Sequence, residues 1–211
     1  MKDIPMFTTD YGVATLILKE IPYRGIAYVR IQDMQPGMIR EMIGECVTFC
    51  RMAGAERVFA AGNGELKCYP YHNSVVSMSG PADFQPEANL FPVTQETVSD
   101  WRRIYNQRMK GIDNAATMTH ADENRICGEN VYFVHRDGKL LGIGWVEEGR
   151  LLSVASTHPG AGACVVKTLL SAQSCRQAEL EVASNNEKAI RLYESLGYIQ
   201  TREISRWYRV L

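Results

Sequence analysis

Residues 180–198 read LEVASNNEKAIRLYESLGY, and their pattern changes from strand to helix partway along. Leu180 and Val182 alternate with glutamates, which is typical of a strand with one apolar and one acidic face. Asn186 then fits the N-cap of a helix, because its side chain can accept a hydrogen bond from the first turn. Apolar residues follow at helical spacing, and Gly197 marks the helix end. The stretch therefore predicts a strand, a short turn and an amphipathic helix.

The sequence before this stretch predicts more strands and helices. Residues 131–135 and 140–146 flank Asp137-Gly138, which is a strong signal for a β-hairpin. Residues 150–156 read as a third strand. Residues 160–173 read as a helix, because apolar residues recur there at helical spacing.

A helix over residues 94–110 precedes the hairpin, and a strand-rich segment over 198–211 ends the chain. This order of elements, together with residues 180–198, resembles the GNAT superfamily of acyl-CoA-dependent N-acyltransferases. The residues that carry the resemblance are Asn186, Ala189, Leu192, Tyr193, Gly197 and Tyr198. The resemblance implies an α/β (α+β) GNAT fold, in which helices flank a mixed central sheet with splayed strands.

The resemblance also implies a function. It implies an N-acetyltransferase that moves an acetyl group from acetyl-CoA to a primary amine by direct transfer. The acceptor would be a small molecule or a peptide, and the sequence does not identify it; a homodimer is compatible with this interpretation. The alternative is a non-catalytic CoA-binding or regulatory module with the same fold.

The position of acetyl-CoA follows from the same resemblance. The strand at 150–156 would splay from the strand at 178–182 and leave a V-shaped opening for the pantetheine arm. The pyrophosphate would meet the start of the next helix, where N–H groups and the helix dipole favour anions. The cosubstrate-binding residues implied are Val154, Ala155, Ser156, Thr157, Gly160, Ala161, Gly162, Ala163, Asn186 and Tyr193.

The phosphate loop departs from the family pattern. The family has an Arg or Gln before Gly-x-Gly and a helix, whereas residues 157–164 read THPGAGAC, which is shorter and lacks that residue. Its small residues still leave the backbone open to phosphate oxygens. Taken alone, Gly160-Ala161-Gly162 is equally compatible with a tight strand-to-helix turn that binds nothing.

Two catalytic roles are assigned to side chains. By its place in the pattern, Tyr193 resembles the family's general acid, which protonates the leaving thiolate; the alternative is a tyrosine that only packs. Asn186 resembles a residue that the family turns toward the cosubstrate, although capping alone would explain it. Glu147 is our choice for the general base. The other candidates for the base are Glu148, Glu181 and His158.

Residues 1–85 are predicted to form a smaller N-terminal α/β unit, and residues 86–211 the acetyltransferase domain. The order of elements in the smaller unit corresponds to half of a complete α/β fold. It is compatible with a degenerate copy of a GNAT domain. A segment with three prolines, residues 78–92, is interpreted as the linker. The elements predicted in the smaller unit are two strands, a helix and a strand, at 14–19, 26–32, 39–50 and 57–61.

Composition excludes some classes of partner. Twenty-three basic and twenty-four acidic residues give a formal charge of −1, so no overall field favours nucleic acid or an anionic membrane surface. No run of apolar residues approaches the length of a membrane span. We therefore expect a cytoplasmic protein with reduced cysteines.

A structural zinc site or redox sensor is the rival from another class. Cys46 and Cys50 lie one helical turn apart, and Cys68 and His72 repeat that spacing. Cys46 and Cys50 nevertheless fall on the apolar stripe of the predicted helix, where buried cysteines are common. We therefore predict no metal site.

Overall fold

The structure, a computed structural model, describes residues 2–128 and 130–211 and divides into two compact units. The first unit contains the residues up to Ser74 together with Glu203–Leu211, and the second contains Val75–Arg202. Among the described helices, none has the length and apolar character needed to cross a membrane.

The unit boundary differs from the predicted boundary between residues 85 and 86. It falls inside strand β5 (Tyr71–Pro81), and the chain end returns to the first unit. The predicted linker over 78–92 is also shorter than expected. Its proline-containing ends lie in β5 and in β6 (Asn89–Pro92), because proline is tolerated where a strand begins or ends.

The first unit is built around a sheet with the strand order β1-β2-β3-β4-β11. Strands β3 and β4 are parallel and pair over five residues, from Ile26 opposite Arg57 to Arg30 opposite Ala61. Helix α2 connects them and buries its apolar face against the sheet. The elements are β1 (Ile4–Thr9), β2 (Gly12–Ile17), α1 (Ile21–Arg24), β3 (Ile26–Met34), α2 (Ile39–Met52), β4 (Arg57–Ala61) and β11 (Ile199–Arg209), of which residues 203–209 belong to this unit.

Burial of the α2 cysteines leads to a first prediction. Burial raises the pKa of Cys46 to about 12 and that of Cys50 to about 11, whereas Cys68 is exposed. Because the thiolate is the reactive form, we expect a maleimide at neutral pH to label Cys68 rapidly and Cys46 and Cys50 only after unfolding. Peptide mass spectrometry measures this directly. Labelling of Cys46 in the folded protein would contradict the packing of the apolar face of α2 against the sheet.

The second unit has the strand order β5-β10-β9-β8-β7-β6. Strands β9 and β10 are parallel, and their neighbours on both sides are antiparallel. Helices α5 and α6 cover one face of the sheet, and α3 covers the other. The remaining elements are α3 (Val98–Met109), α4 (Glu123–Ile126), β7 (Val131–Arg136), β8 (Lys139–Glu147), β9 (Arg150–Ser156), α5 (Gly162–Leu170), β10 (Gln177–Ala183) and α6 (Glu187–Ser195).

Local sequence explains several of these elements. Asp137 and Gly138 both have positive φ, 52° and 71°, as the tight turn between β7 and β8 requires. Asn186 caps α6 by accepting a hydrogen bond from the Ala189 N–H at 3.3 Å. Gly197, with φ of 87°, ends the turn after α6. The α6 segment therefore folds as the sequence predicts.

Two glycines in β8 let α5 lie directly on the sheet. A Cβ at Gly142 would lie 2.6 Å from the Ala155 carbonyl oxygen and 2.8 Å from a Val165 methyl group. A Cβ at Gly144 would lie 2.2 Å from a Leu169 methyl group. No larger residue fits without displacing β9 or α5. These glycines therefore help to fix where α5 begins relative to the end of β9.

Candidate functional site

The second unit contains a cleft where β9 and β10 part. The two strands pair only at Glu179 opposite Arg150 and Leu180 opposite Leu151 within the described chain. The rest of β9 and the end of β10 continue without pairing to each other. This parting is the splayed pair that the resemblance to the GNAT superfamily implies.

A β-bulge lies at the point where the strands part. In the β8–β9 register, Trp145 lies opposite Ser153 and Val146 opposite Leu151, so Leu152 is the extra residue. A bulge bends its strand and increases the local twist. It therefore gives a physical reason for β9 to diverge from β10 just after Leu151.

Beyond the bulge, backbone groups of β9 face the cleft. The Thr157 N–H donates to the Leu141 carbonyl at 2.8 Å, so Thr157 and Ala155 direct their backbone groups toward β8. The backbone groups of Val154 and Ser156 alternate with these and point to the side from which β10 has diverged. Of the four predicted residues at 154–157, these two therefore present their backbone to the cleft.

The loop after β9 leads directly into α5. Gly160 has φ of 80°, and a Cβ there would meet nothing within 4 Å, so the loop is open at this point. Helix α5 begins at Gly162, and its first N–H groups have no partner within the helix. Gly162 itself packs against Leu192 of α6, because a Cβ there would lie 2.9 Å from a Leu192 methyl group. The predicted residues Ala161 and Ala163 lie at the same helix start.

Tyr193 lies on α6 and is 7% exposed. It belongs to the same apolar cluster as Val182 of β10, and Val154 of β9 packs against that cluster. Burial, and secondarily the neighbouring Tyr198, raises the pKa of the Tyr193 phenol above its ordinary value. The phenol therefore stays protonated at neutral pH, as a proton donor must.

The candidates for the base lie in different places. Glu147 ends β8 opposite Arg150, at the paired end of β9. Glu181 follows the last β9–β10 pair, and its carboxylate lies 3.6 Å from the Arg150 guanidinium. His158 is exposed in the loop, with its Nδ1 3.2 Å from the Thr157 hydroxyl. Glu148 lies in the β8–β9 turn with φ of 47°.

Residues that are distant in sequence from β9 and β10 also contact the ends of these two strands. Sequence patterns did not identify them. Arg108 of α3 donates to the Thr157 carbonyl at 2.7 Å, at the end of β9. Asp113 accepts from the Asn185 side chain at 2.7 Å, just after β10. The Asn106 side chain braces the same segment by bonding both the N–H and the carbonyl of Met118. The end of α3 is thus bonded to the end of β9, and the segment after α3 is bonded to the residues that follow β10.

The residues of the rival zinc site are not arranged as a metal centre. Cys46 and Cys50 are buried in the core of the first unit, Cys68 is exposed, and the His72 ring stacks on Phe59 at 4.1 Å. Over residues 2–128 and 130–211, no group of three or more His, Cys, Asp or Glu side chains could hold a metal ion.

No protein-family model and no curated protein matches the sequence. The structure is similar to a GCN5-related N-acetyltransferase from Sphaerobacter thermophilus, with TM-score 0.55 and 15% identity over 93% of this chain and 75% of that one. It is also similar to a putative acetyltransferase from Pyrococcus horikoshii, with TM-score 0.59 and 13% identity over 95% and 69%. A GNAT-family acetyltransferase from Colwellia psychrerythraea gives TM-score 0.50 and 12% identity over 97% and 83%. This chain therefore has the GNAT fold.

Proposed function

We propose that this protein is an N-acetyltransferase that moves an acetyl group from acetyl-CoA to a primary amine by direct transfer. The parting of β9 from β10, with backbone groups of Val154 and Ser156 facing the gap, carries this proposal. The names of the similar structures support the same class of reaction.

The cleft fits the chemistry of acetyl-CoA. The pantetheine arm carries amide groups, and the N–H and carbonyl groups of Val154 and Ser156 are suitable partners for them. One of these N–H groups would hold the thioester carbonyl oxygen, where negative charge develops during acyl transfer. The open backbone at Gly160 and the start of α5 would hold the pyrophosphate.

Tyr193 and Asn186 supply side chains to the proposed site. The Tyr193 hydroxyl makes no hydrogen bond with any described residue, so it is available to protonate the leaving thiolate. Asn186 caps α6 and so fixes the start of the helix that carries Tyr193. Its further predicted role, a contact with the cosubstrate, stays a prediction.

The general base is tested by a matched pair of substitutions. We expect Glu147→Gln to lower kcat/KM by roughly 100-fold, because the amide that replaces the carboxylate cannot accept the amine proton. Glu181→Gln is the comparison, since Glu181 lies closer to the point where the strands part. An unchanged kcat/KM in Glu147→Gln, with a lowered kcat/KM in Glu181→Gln, would assign the base to Glu181.

The alternative function is a non-catalytic module with the same fold. The short loop without Arg or Gln favours a module that holds CoA for assembly or regulation. A panel of amines with acetyl-CoA separates the two functions, because only an enzyme releases free CoA thiol at a rate that depends on the acceptor. Acceptor-dependent release supports the proposal. CoA binding without release for any amine would support the module.

A further inference from the structure

The two units contain the same turn ahead of a helix. Residues 35–38 read QPGM before α2, and residues 158–161 read HPGA before α5. Gly37 has φ of 82° and Gly160 has φ of 80°, and each stands two residues before its helix begins. Each turn is closed by the same hydrogen bond, Met38 N–H to Gln35 carbonyl at 3.2 Å and Ala161 N–H to His158 carbonyl at 3.3 Å. Both are therefore type II turns with proline and glycine at the centre.

In the first unit this turn holds an anion that the chain supplies. The Glu65 carboxylate accepts from the Gly37 N–H through both oxygens, at 3.1 and 3.2 Å. Glu65 follows β4, so it reaches the turn from the next element of the same unit. A carboxylate therefore occupies the place in front of α2 where the helix dipole and the glycine N–H favour negative charge.

In the second unit, no carboxylate of the described residues accepts from the equivalent glycine N–H. The Gly160 N–H has no acceptor among the described residues, and the space beside Gly160 is open. Two arginines reach this loop and helix start instead. Arg108 of α3 donates to the Thr157 carbonyl at 2.7 Å, and Arg136 of β7 donates to the Cys164 sulfur, in the first turn of α5, at 3.8 Å.

The positive charges of Arg108 and Arg136 are not neutralised by any carboxylate of the described residues. Neither Arg108 nor Arg136 makes an ion pair with a carboxylate in the part of the chain that the structure describes, and both are exposed. Arg103, on the same helix as Arg108, is by contrast paired with Asp100 at 2.8 Å. A guanidinium has five donors, so each arginine can keep its present contact and still bind an anion.

We propose that Arg108 and Arg136 bind the phosphate groups of acyl-CoA and supply the positive charge that the loop at residues 157–162 lacks. This inference rests on the proposed function. It also assigns one acyl-CoA site to each chain, because Glu65 fills the equivalent turn of the first unit and β3 pairs continuously with β4 there.

Two ligands and four substitutions test this inference. Acetyl-CoA and S-acetylpantetheine, which lacks every phosphate, would be titrated calorimetrically into the wild type, Arg108→Gln and Arg136→Gln. We expect the affinity for acetyl-CoA to fall about tenfold or more in each variant, since a charge-assisted hydrogen bond to phosphate is lost. The affinity for S-acetylpantetheine should not change. Arg103→Gln is the control, because it removes one charge from α3 without contacting the loop.

The outcomes separate the inference from the proposed function. Wild-type affinity for acetyl-CoA in both arginine variants would overturn the inference, and so would an equal loss of affinity for both ligands, because that indicates a structural role only. Partial recovery in Arg108→Lys, which keeps the charge but loses the planar fork, would support it. A wild-type protein that binds neither ligand would overturn the proposed function itself, and the inference with it.

Discussion

Replacing Tyr193 with phenylalanine is expected to lower kcat by about 100-fold or more and to leave the dissociation constant for acetyl-CoA nearly unchanged. The phenol is buried, its pKa is raised, and it is therefore protonated throughout the neutral range. Phenylalanine keeps the ring in the apolar cluster and removes only the proton donor. The expected effect is thus on the chemical step, measured as steady-state kcat beside a direct titration of acetyl-CoA.

Tyr198 supplies the matched control for this substitution. Its ring centroid lies 6.0 Å from that of Tyr193, it is 2% exposed, and its buried hydroxyl has no partner among the described residues. Removing an unsatisfied buried hydroxyl costs little stability, so Tyr198→Phe should keep both kcat and fold. Equal rates for Tyr193→Phe and the wild type would remove Tyr193 from the mechanism.

Gly142→Ala is expected to destabilise the second unit by about 2 kcal/mol, because a Cβ there must displace a backbone carbonyl of β9 or a methyl group of α5. The same shift would move the start of α5 relative to the end of β9, so we also expect weaker binding of acetyl-CoA. Urea denaturation followed by fluorescence measures the first effect, and a titration of acetyl-CoA in the folded range measures the second.

Gly111→Ala is the control for Gly142→Ala. Gly111 lies after α3, and a Cβ there would meet nothing within 4 Å. The unfolding midpoint of this variant should stay within experimental error of the wild type. If Gly142→Ala is as stable as the control, α5 does not pack on β8 as closely as the structure indicates.

Elements with a strong local pattern were predicted well from the sequence. The strand at 150–156 and the strand at 57–61 have the bounds of β9 and β4, and the Asp137-Gly138 hairpin is present. The prediction of these segments succeeds because alternation, turn residues and caps all act over a few neighbouring residues. Tyr193 and Asn186 became candidates for the same reason, since both lie in a single helix and its cap, and their roles stay predictions.

Strands β1, β5 and β6 were not predicted. β5 carries buried polar residues, Asn73, Ser74 and Ser77, where a pattern search expects apolar ones. Their burial is set by partners distant in sequence, such as Glu203, which accepts from the Ser74 hydroxyl at 2.8 Å. No local signal carries that information, so the boundary between the units was placed at residue 85 instead of inside β5.

The cleft itself depends on pairing, which the sequence of one strand does not specify. The parting of β9 from β10 follows the bulge at Leu152, and a bulge is defined only by the register against β8. Arg108 and Thr157 are separated by 49 positions along the chain, so their contact could not be read from a motif. Local pattern therefore identified the fold and one candidate catalytic side chain, whereas tertiary packing brought the arginines to the loop.

Hydrogen–deuterium exchange with and without saturating acetyl-CoA tests the central claim most directly. If the cosubstrate lies between the splayed strands, bound acetyl-CoA should slow exchange at residues 154–164 and near residues 181–186, while residues 35–39, where Glu65 already occupies the turn, should not change. Exchange that is unchanged at 154–164 in the presence of saturating acetyl-CoA would contradict the proposed site, and with it the acetyltransferase function.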